Sequence, residues 1–238
     1  MNWKKWLVGI LFLSSLLLTA CEKKENEPVG VTNKGPETVT TGEMPDEETP
    51  QSDLQQCILQ VQTDTQLGSG VLWEKREDEW IVVTAAHVVE GLSEADLYLV
   101  KDDKILQAKV TEVNSLDLAF LKVSVTSVEE AVAEKYKAIA VCDDAAQEKE
   151  AVLAAGYNPY GELCQYEGTI IDDWIYVEDF DNYMLLCNCP AQAGMSGGAV
   201  ITAEGCLAGL ICGENKEGTL AVLPVGVIKS EYQLFREN

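Results

Sequence analysis

The sequence predicts an all-β domain spanning residues 54–238, preceded by a leader and a non-globular linker. Short apolar runs recur at regular spacing with turn residues between them, the pattern of a sandwich or a pair of barrels. Hydrophobic residues make up 47% of the 238-residue chain, enough for a core. Apolar residues at clear helical spacing occur at the end of the chain, where a short closing helix is expected.

The first 20 residues read as an export signal. Lys4 and Lys5 form a charged start, and Trp6–Leu18 is an uncharged, largely apolar run of 13 residues. That is short for a ~30 Å hydrocarbon core, which takes ~20 residues, and suits a secretory signal peptide. The ending Leu18-Thr19-Ala20-Cys21 resembles a bacterial lipobox, which implies cleavage before Cys21 and diacylglycerol on its thiol. An ordinary signal peptide or membrane anchor with a chance cysteine is the plainer alternative. Residues 22–53 contain no aromatic residue and carry nine acids against three bases. They cannot bury enough surface to offset chain entropy, so they read as a solvated tether after lipidated Cys21, about 30 Å end to end.

Within the domain, strands are expected at Cys57–Thr63, Gly70–Glu74, Trp80–Thr84, Ala95–Lys101, Ile105–Asn114 and Leu118–Val123. Ser127–Lys137 reads as a helical or irregular link. A second set is expected at Ala138–Cys142, Ala151–Gly156, Leu163–Ile171, Ile175–Glu178, Tyr183–Cys189, Ala199–Thr202, Leu207–Gly213 and Thr219–Val222. In Val227–Phe235, the residues Ile228, Tyr232 and Phe235 share one helical face, and Val227, Glu231 and Leu234 another.

Charge and composition exclude some functions. Forty acids against 17 Lys and Arg give a net charge of −23, and loss of Lys4 and Lys5 with the signal would take it to −25. Phosphate contacts need a basic surface, so nucleic acid is not an expected partner. The chain has one histidine, His87, which excludes a multi-histidine zinc site and leaves one candidate imidazole.

Three segments carry chemistry. Ile81–Val89 runs from an apolar strand through Thr84-Ala85-Ala86 into His87. Asp117 sits at the mouth of the apolar strand Leu118–Val123, where a carboxylate needs a donor. In Gly194-Met195-Ser196-Gly197-Gly198, glycines surround one serine: Gly194 lets two N–H groups converge, while Gly197 and Gly198 are expected to keep side chains away from a substrate.

In the order His, Asp, Ser, these segments resemble the trypsin-like serine proteases, in particular the HtrA/Deg branch, whose members lack a cysteine after the catalytic histidine; here that position is Val88. Gly68-Ser69-Gly70-Val71, Leu207-Ala208-Gly209-Leu210 and Ala221-Val222-Leu223-Pro224-Val225 extend the likeness to about residues 54–230. The resemblance implies two packed six-stranded β-barrels and an endopeptidase with His87, Asp117 and Ser196 as catalytic residues. It further implies an oxyanion hole from the N–H groups of Gly194 and Ser196, protein or peptide substrates, and no metal or organic cofactor. Pro190 stands six before Ser196, where trypsin has the aspartate that selects basic residues, so that preference is not expected. Glutamyl endopeptidases use a second histidine, which this chain lacks. Ile211, Cys212 and Gly213 on one wall and Ala221 and Val222 on another suggest a small or medium apolar residue before the scissile bond. HtrA proteins usually carry a PDZ domain after the protease domain; the chain ends at Asn238, so PDZ-driven activation is not expected. An outer-face, lipid-anchored protease is the resulting picture. A catalytically inactive binding or sensing module on the same fold is the alternative, and the oligomeric state is left open.

Beyond Cys21 there are seven cysteines, an odd number for an exported chain. Most are expected to be small buried hydrophobes. Cys187 and Cys189 share one face of a strand and make no easy mutual bridge. Cys206 with Cys212, or Cys164 with Cys187 or Cys189, are the pairings left open.

Overall fold

The computed structural model describes residues 50–113 and 116–237; the signal, Cys21 and the tether up to residue 49 lie outside the described residues. Six strands form each of two closed barrels. The first contains β1 (Ile58–Gln62), β2 (Leu67–Lys75), β3 (Glu79–Thr84), β4 (Glu94–Leu99), β5 (Lys104–Glu112) and β6 (Ala119–Ser124). The second contains β7 (Ala151–Tyr157), β8 (Leu163–Val177), β9 (Asn182–Cys187), β10 (Ala199–Thr202), β11 (Leu207–Glu214) and β12 (Leu220–Pro224). The first ring runs β1-β2-β3-β6-β5-β4. The second, started at β7, has the same order of strands, so one topology occurs twice without a visible sequence repeat.

Period-2 alternation explains why three separate apolar clusters form. On β3, Trp80 and Val82 point into the first barrel, while Ile81 and Val83 point into a seam between the barrels. On β12, Leu220 and Val222 point into the second barrel, and Ala221 and Leu223 into the same seam. These strands are buried on both faces, which is why they read as unbroken apolar runs.

The ends differ from expectation in informative ways. A helix, α1 (Pro50–Cys57), crosses the boundary read at 53/54. Ala138–Cys142 is not a strand of either barrel; it makes one isolated bridge, Val141 to Leu207. The two runs expected at Leu163–Ile171 and Ile175–Glu178 are one strand, β8, whose register against β9 shifts twice between Ile170 and Ile175. Those shifts interrupt the alternation that a sequence reading depends on. The link contains one helical turn, α2 (Glu130–Ala133). The closing helix α3 (Val225–Glu237) buries the Ile228 and Tyr232 face and leaves Leu234 exposed. Phe235 stacks on Phe120 at 4.7 Å, and Tyr232 meets Trp73 edge-on at 5.7 Å, so α3 grips the first barrel.

The disulfide joins Cys142 to Cys206. This corrects the pairings considered above: Cys206 joins Cys142 rather than Cys212, because Val141 bridges to Leu207 and brings Cys142 beside the β10–β11 turn while Cys212 is buried in the seam, and Cys164, Cys187 and Cys189 remain free thiols although Cys164 packs against the cluster that holds the other two. Cys57, Cys187, Cys189 and Cys212 are buried, as expected of small apolar residues. The bridge closes 64 residues, so replacing both partners, Cys142→Ser with Cys206→Ser, should lower unfolding free energy by about 2–4 kcal/mol in a denaturant titration.

Candidate active site

His87 follows β3 directly. Ala85 is extended and fully buried, and a single 3₁₀ turn, Ala86–Val88, then reverses the chain. Val88 and Val89 are buried in the first barrel and anchor the turn from below. The small residues expected behind the imidazole thus let the chain turn without a void.

Asp117 enters from the segment before β6. Its Oδ2 lies 2.9 Å and its Oδ1 3.0 Å from His87 Nδ1, and Oδ1 also accepts the His87 backbone N–H at 3.0 Å. Three contacts fix one carboxylate against one ring edge. Both side chains are largely shielded, at 11% and 13% exposure, which strengthens the pairing relative to a surface pair. The Cys212 Sγ lies 4.0 Å from the Asp117 carbonyl oxygen. Burial, then the Asp117 charge, push the Cys212 thiol well above its ordinary value, so it stays protonated.

Ser196 comes from the loop before β10. It shares one cleft of about 980 Å³ with His87, Gly194, Met195 and Ile211. Met195 N donates to Gln192 O at 3.1 Å across a turn whose third residue, Gly194, has φ +89°. That is the geometry of a type II turn, which needs a residue tolerant of positive φ at this place. A Cβ there would also lie 2.6 Å from Tyr157 O. The neighbouring amides of Gly197 and Gly198 are spent on Ile211 O at 2.7 Å and Met195 O at 2.9 Å. The amides of Gly194 and Ser196 donate to no group among the described residues. The loop therefore keeps its internal hydrogen bonds and presents two unspent donors.

Ser69, on β2, holds this loop from the other barrel. Its buried hydroxyl donates to Gly194 O at 2.8 Å and accepts Tyr157 N–H at 2.8 Å. Its backbone N–H donates to Ser196 O at 2.8 Å, and its carbonyl accepts from Thr84 Oγ1 at 2.7 Å. The sequence singles out the Gly68-Ser69-Gly70 motif but not this role, since the partner Gly194 lies 125 residues away. Gly197 also serves a different end from the one expected. A Cβ on it would lie 2.2 Å from Ser69 O, so it allows the two barrels to approach, rather than clearing space for a substrate.

Two walls of the expected pocket move. Ile211, Cys212 and Gly213 line the cleft. Pro190 does not; it is exposed, and Ala191 and Gln192 line the cleft instead. Nor do Ala221 and Val222, which face the seam and the second barrel core; Leu220, opposite Glu214 in the ladder, lines it. Asp64, Glu214 and Lys216 add charge around the opening.

Residues 68–210 match the model of the trypsin-like peptidase domain, a span that includes His87, Asp117 and Ser196. The chain belongs to that family. Curated relatives of this peptidase domain include serine protease HtrA-like proteins from two strains of Staphylococcus epidermidis, each 27% identical over an alignment 188 residues long that covers 71% of this chain. The match spans 30% of the relatives' length. Solved structures share the fold. The Rv3671c protease in an inactive form has a TM-score of 0.62 at 20% identity, over 76% of this chain and 89% of that one. A mutant of the same protein from M. tuberculosis H37Rv, also in an inactive form, has 0.63 at 18%, over 79% and 90%. A serine endoprotease from Yersinia pestis has 0.62 at 19%, over 82% and 68%.

Replacing Ser69 by alanine in this peptidase domain leaves Gly194 O and Tyr157 N–H buried without their partner. Ser69→Ala should therefore unfold about 1–3 kcal/mol more easily in urea.

Proposed function

We propose that the chain is an exported, lipid-anchored serine endopeptidase. The observation that carries this is the meeting of three things: an imidazole clamped by Asp117 through Nδ1, a serine in the same cleft, and two unspent amides flanking that serine. The unspent amides favour a working protease over an inactive module, because a loop at rest would turn its donors onto its own carbonyls.

Ser196 Oγ attacks the substrate carbonyl carbon, and His87 Nε2 takes the hydroxyl proton. Asp117 accepts from Nδ1–H, which fixes the tautomer and stabilises the imidazolium. The carbonyl oxygen becomes an oxyanion held by the Gly194 and Ser196 amides; one such donor is worth about 3 kcal/mol in the barrier. His87 then gives its proton to the leaving amine, and the carbon–nitrogen bond breaks. Water, deprotonated by His87, attacks the acyl-enzyme, and its collapse releases the new carboxyl group and restores the serine proton. The apolar lining by Ile211, Cys212 and Leu220 favours a small or medium apolar residue before the scissile bond. The lipobox-like Cys21 would hold the domain at the outer face of a bacterial membrane, with residues 22–53 as its tether.

A fluorophosphonate probe should label the folded parent chain and not Ser196→Ala; no labelling of the parent overturns the reading. His87→Ala should abolish peptide turnover, since no second imidazole exists to take over. If Ser69 acts by positioning the oxyanion turn, Ser69→Ala should lower kcat roughly 10- to 100-fold with KM little changed, as expected when a transition-state contact weakens. Labelled palmitate should enter the parent expressed in bacteria and not Cys21→Ala.

A further inference from the structure

The β8–β9 hairpin carries a feature unrelated to the cleft. Tyr176 and Tyr183 are directly opposed in the ladder, and Trp174 lies two residues before Tyr176. Trp174 stacks on Tyr183 at 5.1 Å with the rings 8° from parallel, and Tyr176 meets Tyr183 edge-on at 5.6 Å. All three rings are far from buried, at 57%, 48% and 44% exposure, and Ile171 and Ile175 beside them are exposed as well. An ordered row of large exposed rings is unusual on a soluble surface and marks an interaction site.

Charge decides what it fits. Residues 172–183 contain Asp172, Asp173, Glu178, Asp179 and Asp181 and no base. Between Lys149 and Lys216 the sequence has ten carboxylates and no Lys, Arg or His. The carboxylates frame the rings: Asp181 accepts from the Tyr176 hydroxyl, and Asp172 accepts the Trp174 backbone N–H at 3.1 Å. Each retains acceptor capacity for an incoming donor. Among the described residues no cation covers these rings.

We infer that this hairpin docks an extended polypeptide segment bearing arginines. A guanidinium plane stacks on Trp and Tyr faces while its donor fork pairs with carboxylates, so both surface chemistries are used by one side chain. A second copy of the chain would set five carboxylates against five, and an anionic membrane or a nucleic acid would meet the same repulsion. The site is independent of turnover at Ser196.

The test uses the full chain carrying Ser196→Ala, titrated into a labelled nonapeptide of alternating arginine and serine near 0.15 M salt, read by fluorescence anisotropy. Trp174→Ala with Tyr183→Ala, which leaves net charge unchanged, should weaken binding roughly tenfold. The lysine analogue should bind more weakly than the arginine peptide. Asp172→Asn with Asp173→Asn and Asp181→Asn should weaken binding and flatten its salt dependence. Glu77→Gln with Asp78→Asn and Glu90→Gln removes the same charge from the first barrel and should change affinity less than twofold. Circular dichroism checks that each variant folds. Unchanged affinity in the folded aromatic variant, equal losses from the two sets of carboxylates, or no binding by the parent overturns the proposal. Since none of these readouts involves hydrolysis, they stand or fall apart from the endopeptidase reading.

Discussion

The Ser69 hydroxyl donates to Gly194 O and accepts from Tyr157 N–H, and by those two bonds a strand of one barrel fixes a loop of the other. The Gln192–Met195 turn has its third residue at φ +89°, and flipping its central peptide would turn the neighbouring carbonyl or amide the other way. Ser69 holds not that peptide but the next carbonyl, Gly194 O, so it pins the residue about which such a flip would turn, and breaking its bonds would leave buried groups without water. Gly197 makes that arrangement possible by letting the backbones of Ser69 and its own loop approach without a side chain between them. Hydrogen bonding, backbone conformation and barrel packing thus converge on the same few atoms. The Ser196 carbonyl, held by Ser69 N–H, ties the serine itself into the same arrangement.

Much of this was legible beforehand. The strands with both faces buried, such as Trp80–Thr84, stood out as apolar runs because every residue has somewhere dry to go. The His, Asp and Ser segments are legible because each sits at one end of an apolar strand, His87 and Ser196 among small residues and Asp117 as a lone carboxylate between leucines. What was not legible depended on distant partners. Ser69 looks like any serine between glycines until Gly194 is folded against it. Cys142 gave no hint of Cys206, since its position follows from a single bridge rather than from a strand. The split of β8 into two expected runs came from bulges, which move side chains between faces without a marker residue. Counting back from Ser196 puts Pro190 in the pocket, and counting does not see the turn that carries Ala191 and Gln192 into the cleft instead.

Charge is distributed with a similar division. The imidazole–carboxylate pair is shielded, so it is little affected by ionic strength, whereas the acids of the second barrel lie largely at the surface and are screened within about 8–10 Å in physiological salt. The two regions therefore respond differently to salt. The pair in the cleft is insulated from it, and encounter with a charged partner at the surface of the second barrel follows it.

The repeated topology has a consequence in time. The first barrel closes its ring of hydrogen bonds with residues up to Ser124, and it already contains the paired imidazole and carboxylate. Ser196 and the amides beside it belong to the second barrel, and their geometry depends on Ser69 across the seam. On the proposed mechanism, the first ring alone would hold the base and its carboxylate partner, and the nucleophile would join them only once the second ring lies against the first. On that mechanism a copy with only one ring closed would lack part of its machinery, so turnover would report on the closure of both rings.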